Sequence, residues 1–164
     1  MQPFLQYIVS ENMVLATTLF ASRYCDIYFN EKVNAVHVVW KGISVGEAEF
    51  KNIMFKITDA LKQSQSNVII GDVRQLQILW KNDRDWILQY WYPEAVKAGF
   101  RCQAMILNSD DYNEFSIKKI VEKYDKAIVE TGYFISLSEA TKWVRKKMFV
   151  KDERLHYRIP KYSY

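Results

Sequence analysis

The chain has 164 residues, enough for one compact domain with a sizeable core. Hydrophobic residues make up 49% and charged residues 26%, a globular balance that excludes whole-chain disorder. The net charge of +4 is uneven: Val144 to Tyr164 carries seven Lys and Arg against two Asp and Glu, a net of +5, so the rest sums to −1. The basic character therefore belongs to a tail and not to a binding face of the domain.

No apolar run reaches the ~18 residues of a membrane span. The opening MQPFLQYIVSENMVL has no basic stretch and carries Glu11 within its apolar part, which argues against a secretory signal. Cys25 and Cys102 fall in strand-like segments without CxxC or metal spacing, so they read as reduced, buried, small apolar side chains of a cytoplasmic protein.

Residues 1–20 fit neither the helical nor the strand period and predict no element. Tyr24 to Phe29 are strand formers, Asn30-Glu31-Lys32 reads as a turn, and Val33 to Trp40 is a second strand closing a hairpin. Ser44 and Glu47 have capping-box spacing. Phe50, Ile53, Met54, Ile57 and Leu61 then form one apolar helical stripe. Asn67 to Gly71 reads as a buried strand. A second helix spans about Asp83 to Ala98, with Pro93 inside it to kink or split it and Gly99 as a left-handed stop. Cys102 to Leu107 is another buried strand. Asp111 and Glu114 cap a third helix with the stripe Ile117, Ile120, Val121, Tyr124 and Ile128, ended by Gly132. Tyr133 to Ser136 is the last strand. Ser136 and Glu139 repeat the capping spacing before a final helix that faces Leu137, Ala140, Trp143, Val144 and Met148 inward.

The order β-β-α-β-α-β-α-β-α predicts an α/β fold: a mixed, mostly parallel sheet of four or five strands with an N-terminal hairpin and about four flanking helices. The expected organisation is an N-terminal extension (1–20), one α/β domain (21–148) and a basic, aromatic tail (149–164).

Several short motifs occur in a suggestive order. Trp40-Lys41-Gly42 closes one strand and Asp72-Val73-Arg74 another; Asp85-Trp86 precedes Trp91-Tyr92-Pro93, and FISLSEATKW runs from Phe134 to Trp143. From about Tyr24 to Met148 the chain resembles small bacterial STAS-like domains, akin to the anti-anti-sigma factors and likened to the CRAL-TRIO lipid-transfer fold. The resemblance implies a sheet flanked by helices and a non-catalytic role in regulation or ligand binding. Anti-anti-sigma factors carry a phosphorylatable serine in the turn that here reads Lys81-Asn82-Asp83-Arg84-Asp85. No Ser or Thr occurs from Asn67 to Asn108, so a phosphoserine switch cannot operate there. Asp83 and Asp85 stand near a helix N-terminus, where a carboxylate is favourable. A permanent mimic of the phosphorylated state is one account of them, and ordinary N-capping is the simpler one.

The candidate binding residues are Asp72, Arg74, Asp85, Trp86, Tyr90 and Trp91. Asp72 and Arg74 lie where a parallel strand ends, the usual mouth of α/β ligand sites. They would grip a ligand or partner, or else cap the loop and pair locally. Trp86 and Tyr90 are four apart and adjacent on a helix, while Trp91 lies about 100° further round than Tyr90, so the three rings cannot share one face. An exposed ring here would serve a partner or dimer contact; the alternative is that the rings cover the sheet. His37, alternating with Ala35 and Val39, reads as a satisfied strand residue, and His156 sits in the tail. No nucleophile–base pair, metal cluster or glycine-rich phosphate loop is present, so no catalytic residue, metal or cofactor is predicted. The tail's mixture of Lys, Arg and aromatics suits single-stranded nucleic acid or an anionic membrane, but a solvated or self-docking extension is the simpler account. The expected partner is a protein or a second copy of the chain. The alternative is a small apolar ligand in a pocket of at least ~300 Å³, lidded by the aromatic helix.

Overall fold

The computed structural model describes residues 16–42, 44–76, 80–108 and 128–156, with side chains as far as Met148. Strands β1 (Ala16–Ala21), β2 (Cys25–Asn30), β3 (Ala35–Trp40), β4 (Val68–Asp72), β5 (Cys102–Ile106) and β6 (Glu130–Phe134) form one six-stranded sheet in the order 1-2-3-4-5-6. The pairs β1/β2 and β2/β3 are antiparallel, and β3 through β6 are parallel. Helices α1 (Glu47–Ser64), α2 (Lys81–Trp86), α3 (Tyr92–Lys97) and α4 (Leu137–His156) flank it. The expected α/β class, the leading hairpin and the mostly parallel sheet are all present.

The hairpin β2–β3 turns through a short 3₁₀ segment, Glu31–Val33. Asn30 Oδ1 accepts from the Lys32 backbone N–H at 3.1 Å, and Asn34 closes the turn at φ +43°. Asn tolerates that left-handed conformation better than most side chains. β1 adds a sixth strand where no element is expected. Its register shifts at a bulge between Thr18 and Phe20, so the adjacent Leu19 and Phe20 both pack against the core. A bulge breaks the alternation by which a strand is recognised.

α1 starts at Glu47, two residues later than an N-cap at Ser44 predicts. Gly46 holds the N-cap position with no side-chain bond, and its carbonyl accepts from Phe50 N–H at 2.9 Å. The capping box is not formed because Glu47 itself opens the helix; its carboxylate pairs with Lys51 at 2.5 Å instead. The predicted stripe is the buried face: Phe50, Ile53, Met54, Ile57 and Leu61 are each at most 7% exposed.

Pro93 acts as expected, through a π-helical turn. Residues Ile87–Trp91 are wound wider than an α-helix, and Tyr92 N–H reaches back five residues to Ile87 O. The wide turn ends two residues before Pro93, whose missing N–H and bulky ring cannot continue a regular ladder. Gly99 (φ +107°) ends α3 in a Schellman motif: Phe100 N–H bonds Ala95 O at 2.9 Å and Gly99 N–H bonds Val96 O at 3.1 Å.

The helix expected to begin at Asp111 falls on residues 109–127, outside the described residues. β6 spans Glu130–Phe134, upstream of the expected Tyr133–Ser136, so Gly132 lies inside a strand and does not stop a helix. A Cβ there would sit 2.8 Å from the Phe134 ring and 3.1 Å from Trp143. The close approach of these rings, and not a turn, accounts for the glycine. The second capping pair is real: Glu139 N–H donates to Ser136 Oγ at 3.3 Å, and Glu139 Oε2 accepts from Ile135 N–H at 3.4 Å. Ala140 and Val144 are fully buried, but Leu137 is 37% exposed and does not face inward. The backbone of α4 continues to His156, into the stretch expected as a tail.

Two apolar layers result. One joins β2, β3 and β4 to α1, the π turn and α3; the other joins β3, β4 and β5 to α4. Cys25 and Cys102 are buried within them and are not joined in a disulfide. Burial pushes the Cys25 thiol up to about 12, helped by the Asp26 carboxylate, which keeps it inert. Gly132→Val should drive Cβ substituents into the Phe134–Trp143 contact and destabilise the fold by ~1–3 kcal/mol, read as a lower denaturation midpoint with an unchanged m-value.

Candidate functional site

β4 leads into a loop closed by its own charges. Asp72 accepts from Arg74 Nε at 2.9 Å and from Nη2 at 2.6 Å, and Asp72 Oδ1 also accepts from the Arg74 backbone N–H at 3.2 Å. Arg74 O in turn accepts from Asn108 Nδ2 at 2.6 Å. The side-chain bond to Asp72 holds the guanidinium even more firmly protonated than usual. A bidentate pair of this kind satisfies both groups, so Asp72 and Arg74 serve each other and the loop before any ligand.

The strand pleat puts Asp72 with Ile70 on the α4 side of the sheet, since Ile69, Gly71 and Val73 line the opposite side. The hairpin brings further polar groups to that side. Tyr28 is directly opposite His37, and Asp26 opposite Val39, which is itself paired with Asp72. The Tyr28 and His37 rings stack at 4.7 Å with 27° between their planes. Burial, then the Asp72 and Asp26 carboxylates, pushes the Tyr28 phenol up to about 12. Asp26 is paired with Lys41 at 2.7 Å. His37 is 3% exposed, and its Nε2 has no hydrogen-bond partner among the described residues. Burial pushes its pKa down to about 4. The expectation of a satisfied strand histidine is thus half right: it is a core residue, but one ring nitrogen finds no partner among the described residues. At neutral pH the ring is uncharged and Tyr28 keeps its proton. The cluster Asp26, Tyr28, His37 and Asp72 is not assembled by the sequence reading, although the alternation of Asp26 and Tyr28 across a hairpin from His37 is its signal.

The remaining candidates lie on the other side of the sheet. Trp91 is 5% exposed, and its Nε1–H donates to Met54 O at 2.7 Å. It packs against Tyr92 at 5.3 Å and Phe100 at 5.9 Å and belongs to the core, not to a contact surface. Trp86 is half-buried, edge-on to Phe55 at 5.6 Å with Lys51 Nζ 5.4 Å from its ring. Tyr90 is 61% exposed. The three rings divide between faces, as their spacing requires. Asp85 is at the surface, paired with Lys81 at 2.6 Å. Asp83 is 8% exposed, and its carboxylate accepts a backbone hydrogen bond at Trp80, the N-cap residue. Burial and then Glu47 raise its pKa, while Lys51 and that bond oppose the rise. Asp83 thus satisfies the N-cap residue's own N–H, as part of a cap, whereas Asp85 pairs with Lys81 and does not cap. Trp80 (76% exposed) and Phe55 (52%) are exposed rings outside the six candidates; Phe55 falls between two stripe positions of α1, which is the signal for it. The six candidates therefore do not form one surface: Asp72 and Arg74 are parted by the sheet from Asp85, Trp86, Tyr90 and Trp91.

Between the sheet and these helices lies an apolar cavity of about 90 Å³ over β3, β4 and β5. Among the described residues, no group of three or more His, Cys, Asp or Glu is placed to hold a metal ion, and no helix is long and apolar enough to cross a membrane.

The fold and these sites define an α/β domain with a six-stranded mixed sheet. No protein-family model, curated protein or solved structure matches the chain.

His37 gives the acid response a sign. The unfolded chain takes up the histidine proton below the ordinary value of 6.5, whereas the folded chain resists until about 4. Stability is therefore lost as pH falls from about 6.5 towards 4, at up to ~1.4 kcal/mol per pH unit from this group. His37→Phe, which keeps a ring against Tyr28, should flatten that slope when both proteins are denatured at a series of pH values. Equal slopes would remove His37 as the cause.

Proposed function

We propose that the protein is a non-catalytic regulatory or protein-interaction module of STAS-like type, acting in the cytoplasm. Its contact surface is the outer side of α1 and of the helical run Lys81–Lys97. The observation that carries this reading is the exposure of Trp80, Tyr90 and Phe55 at 76%, 61% and 52%, with Trp86 half-buried against Phe55. Large aromatic rings dominate interface energies, and water is a poor neighbour for several of them together. A π-helical turn presents Tyr90, a feature common at functional sites.

The occupant we favour is a second copy of the chain. Around the aromatics lie charges of both signs, Glu47 with Lys51 and Lys81 with Asp85. A patch of mixed sign can complement itself across a two-fold axis. The absence of Ser and Thr between Asn67 and Asn108 makes the contact constitutive, with no phosphorylation switch in the acidic turn.

The small-molecule carrier is the second reading. A lipid or drug-sized ligand needs a pocket of ~300 Å³ or more, and the cavity under the aromatic helix holds about 90 Å³. The exposed rings therefore favour contact over carriage of a large load.

Sedimentation equilibrium tests the proposal. The full chain should dimerise, and Trp80→Ser combined with Tyr90→Ser should weaken the dimer by at least ~100-fold, since each lost anchor costs more than ~1.4 kcal/mol. A monomeric wild type, or a dimer untouched by the double substitution, would overturn it.

A further inference from the structure

The cavity between the sheet and the helices has features of a ligand site for something smaller than a lipid. Its volume is about 90 Å³, and none of its lining residues is charged. Met54 hangs from α1 above it, Met105 rises from β5, and Trp91 supplies a wall from the π turn. Gly71 opens the floor: a Cβ there would lie 3.2 Å from Met105 Sδ. Methionine walls adapt to irregular guests because the thioether chain is flexible and polarizable.

One polar group breaks the apolar lining. Gln103 stands in the middle of β5, 5% exposed, and lines the cavity. Its Nε2 donates to Tyr92 Oη at 2.7 Å and to Thr131 Oγ1 at 3.0 Å. Both amide hydrogens are thereby committed. Its Oε1 has no hydrogen-bond partner among the described residues. An amide held at one end by two hydroxyls and open at the other is an oriented acceptor in an apolar chamber, the usual composition of a small-molecule site.

We propose that this cavity binds a small, uncharged, mostly apolar molecule with one hydrogen-bond donor directed at Gln103 Oε1, the class of a short-chain alcohol. Size sets the length. An apolar cavity of roughly 150 Å³ accepts benzene, so one of about 90 Å³ takes about four heavy atoms, or slightly more as the methionines yield. Charged ligands are excluded because nothing in the wall would compensate their desolvation. This site is separate from the exposed aromatic surface and does not depend on dimerisation.

The test uses the full chain with labelled methionine methyl groups, titrated with butan-2-ol and, separately, with butan-2-one, which has the same carbon skeleton but no donor. The Met54 and Met105 methyl signals should shift to saturation with the alcohol, while Met148, which does not line the cavity, reports any general solvent effect. The ketone should bind about tenfold more weakly, the value of one neutral hydrogen bond of ~1.4 kcal/mol. Gly71→Ala, which narrows the cavity from a strand position without positive φ, should weaken alcohol binding. Gln103→Met should bring the alcohol down to the level of the ketone. Shifts that rise linearly without saturation, or that match those of Met148, would overturn the site. Equal affinity of wild type for alcohol and ketone would overturn the role of Gln103, without recourse to a variant that has to fold.

Discussion

The hydrogen bond from Trp91 Nε1 to the carbonyl of Met54 sets the phase of the helical layer. It is 2.7 Å long and buried, and it joins the π turn to α1 over the sheet. The same carbonyl also accepts from Thr58 Oγ1 at 3.3 Å. A buried indole N–H left without an acceptor would cost on the order of 1–3 kcal/mol. The ring can therefore enter the core only where α1 offers a carbonyl, and that requirement ties the rotation of one helix to the position of the other. Once Trp91 points inward, its neighbours have no choice. Tyr92 follows it into the core against Phe100, Tyr90 is turned to solvent, and Trp86 comes to rest against Phe55. The exposed aromatic surface is the far side of a core decision.

The two faces of the sheet differ in kind. On the side of α1 and the π turn the layer is apolar and rich in large rings, with Gln103 and Thr58 among its few buried polar residues. On the α4 side the residues towards the ends of β3 and β4 are titratable. Tyr28 and His37 are stacked and Asp72 is neutralised by Arg74, but among the described residues His37 Nε2 has no partner. A neutral imidazole tolerates burial far better than a charged one. The cluster is stable as long as its histidine is unprotonated, which ties the integrity of this face to pH in a way the aromatic face does not share.

What the sequence discloses follows from which interactions are local. The α1 stripe, the Ser136–Glu139 cap and the Gly99 stop each depend on residues within a few positions, and each is where the pattern places it. The misplacements have non-local causes. β1 escapes notice because a bulge, defined only by its pairing with β2, puts Leu19 and Phe20 on the same core. Gly132 looks like a helix stop until Phe134 and Trp143 are seen to need its missing side chain. Asp72 and Trp91 read as parts of one surface along the chain, yet a parallel strand delivers its alternate residues to opposite faces. Even there the chain held a partial answer: rings at 86, 90 and 91 cannot point the same way, and they do not.

The π turn links the two functions argued for this layer. Ile87, Trp91 and Tyr92 line the cavity, and Tyr90, between them in sequence, is on the outside. A wide turn has poorer hydrogen-bond geometry than an α-helix, and Pro93 withholds a backbone donor two residues after it. It is an irregular stretch in a wall otherwise made of regular helix and sheet. A guest that outgrows the chamber would press first on this turn, and a partner seated on Tyr90 would brace it from outside. Inner volume and outer shape are therefore set by one piece of backbone. Within the same five residues Ile87 and Trp91 face the cavity and Tyr90 faces outward.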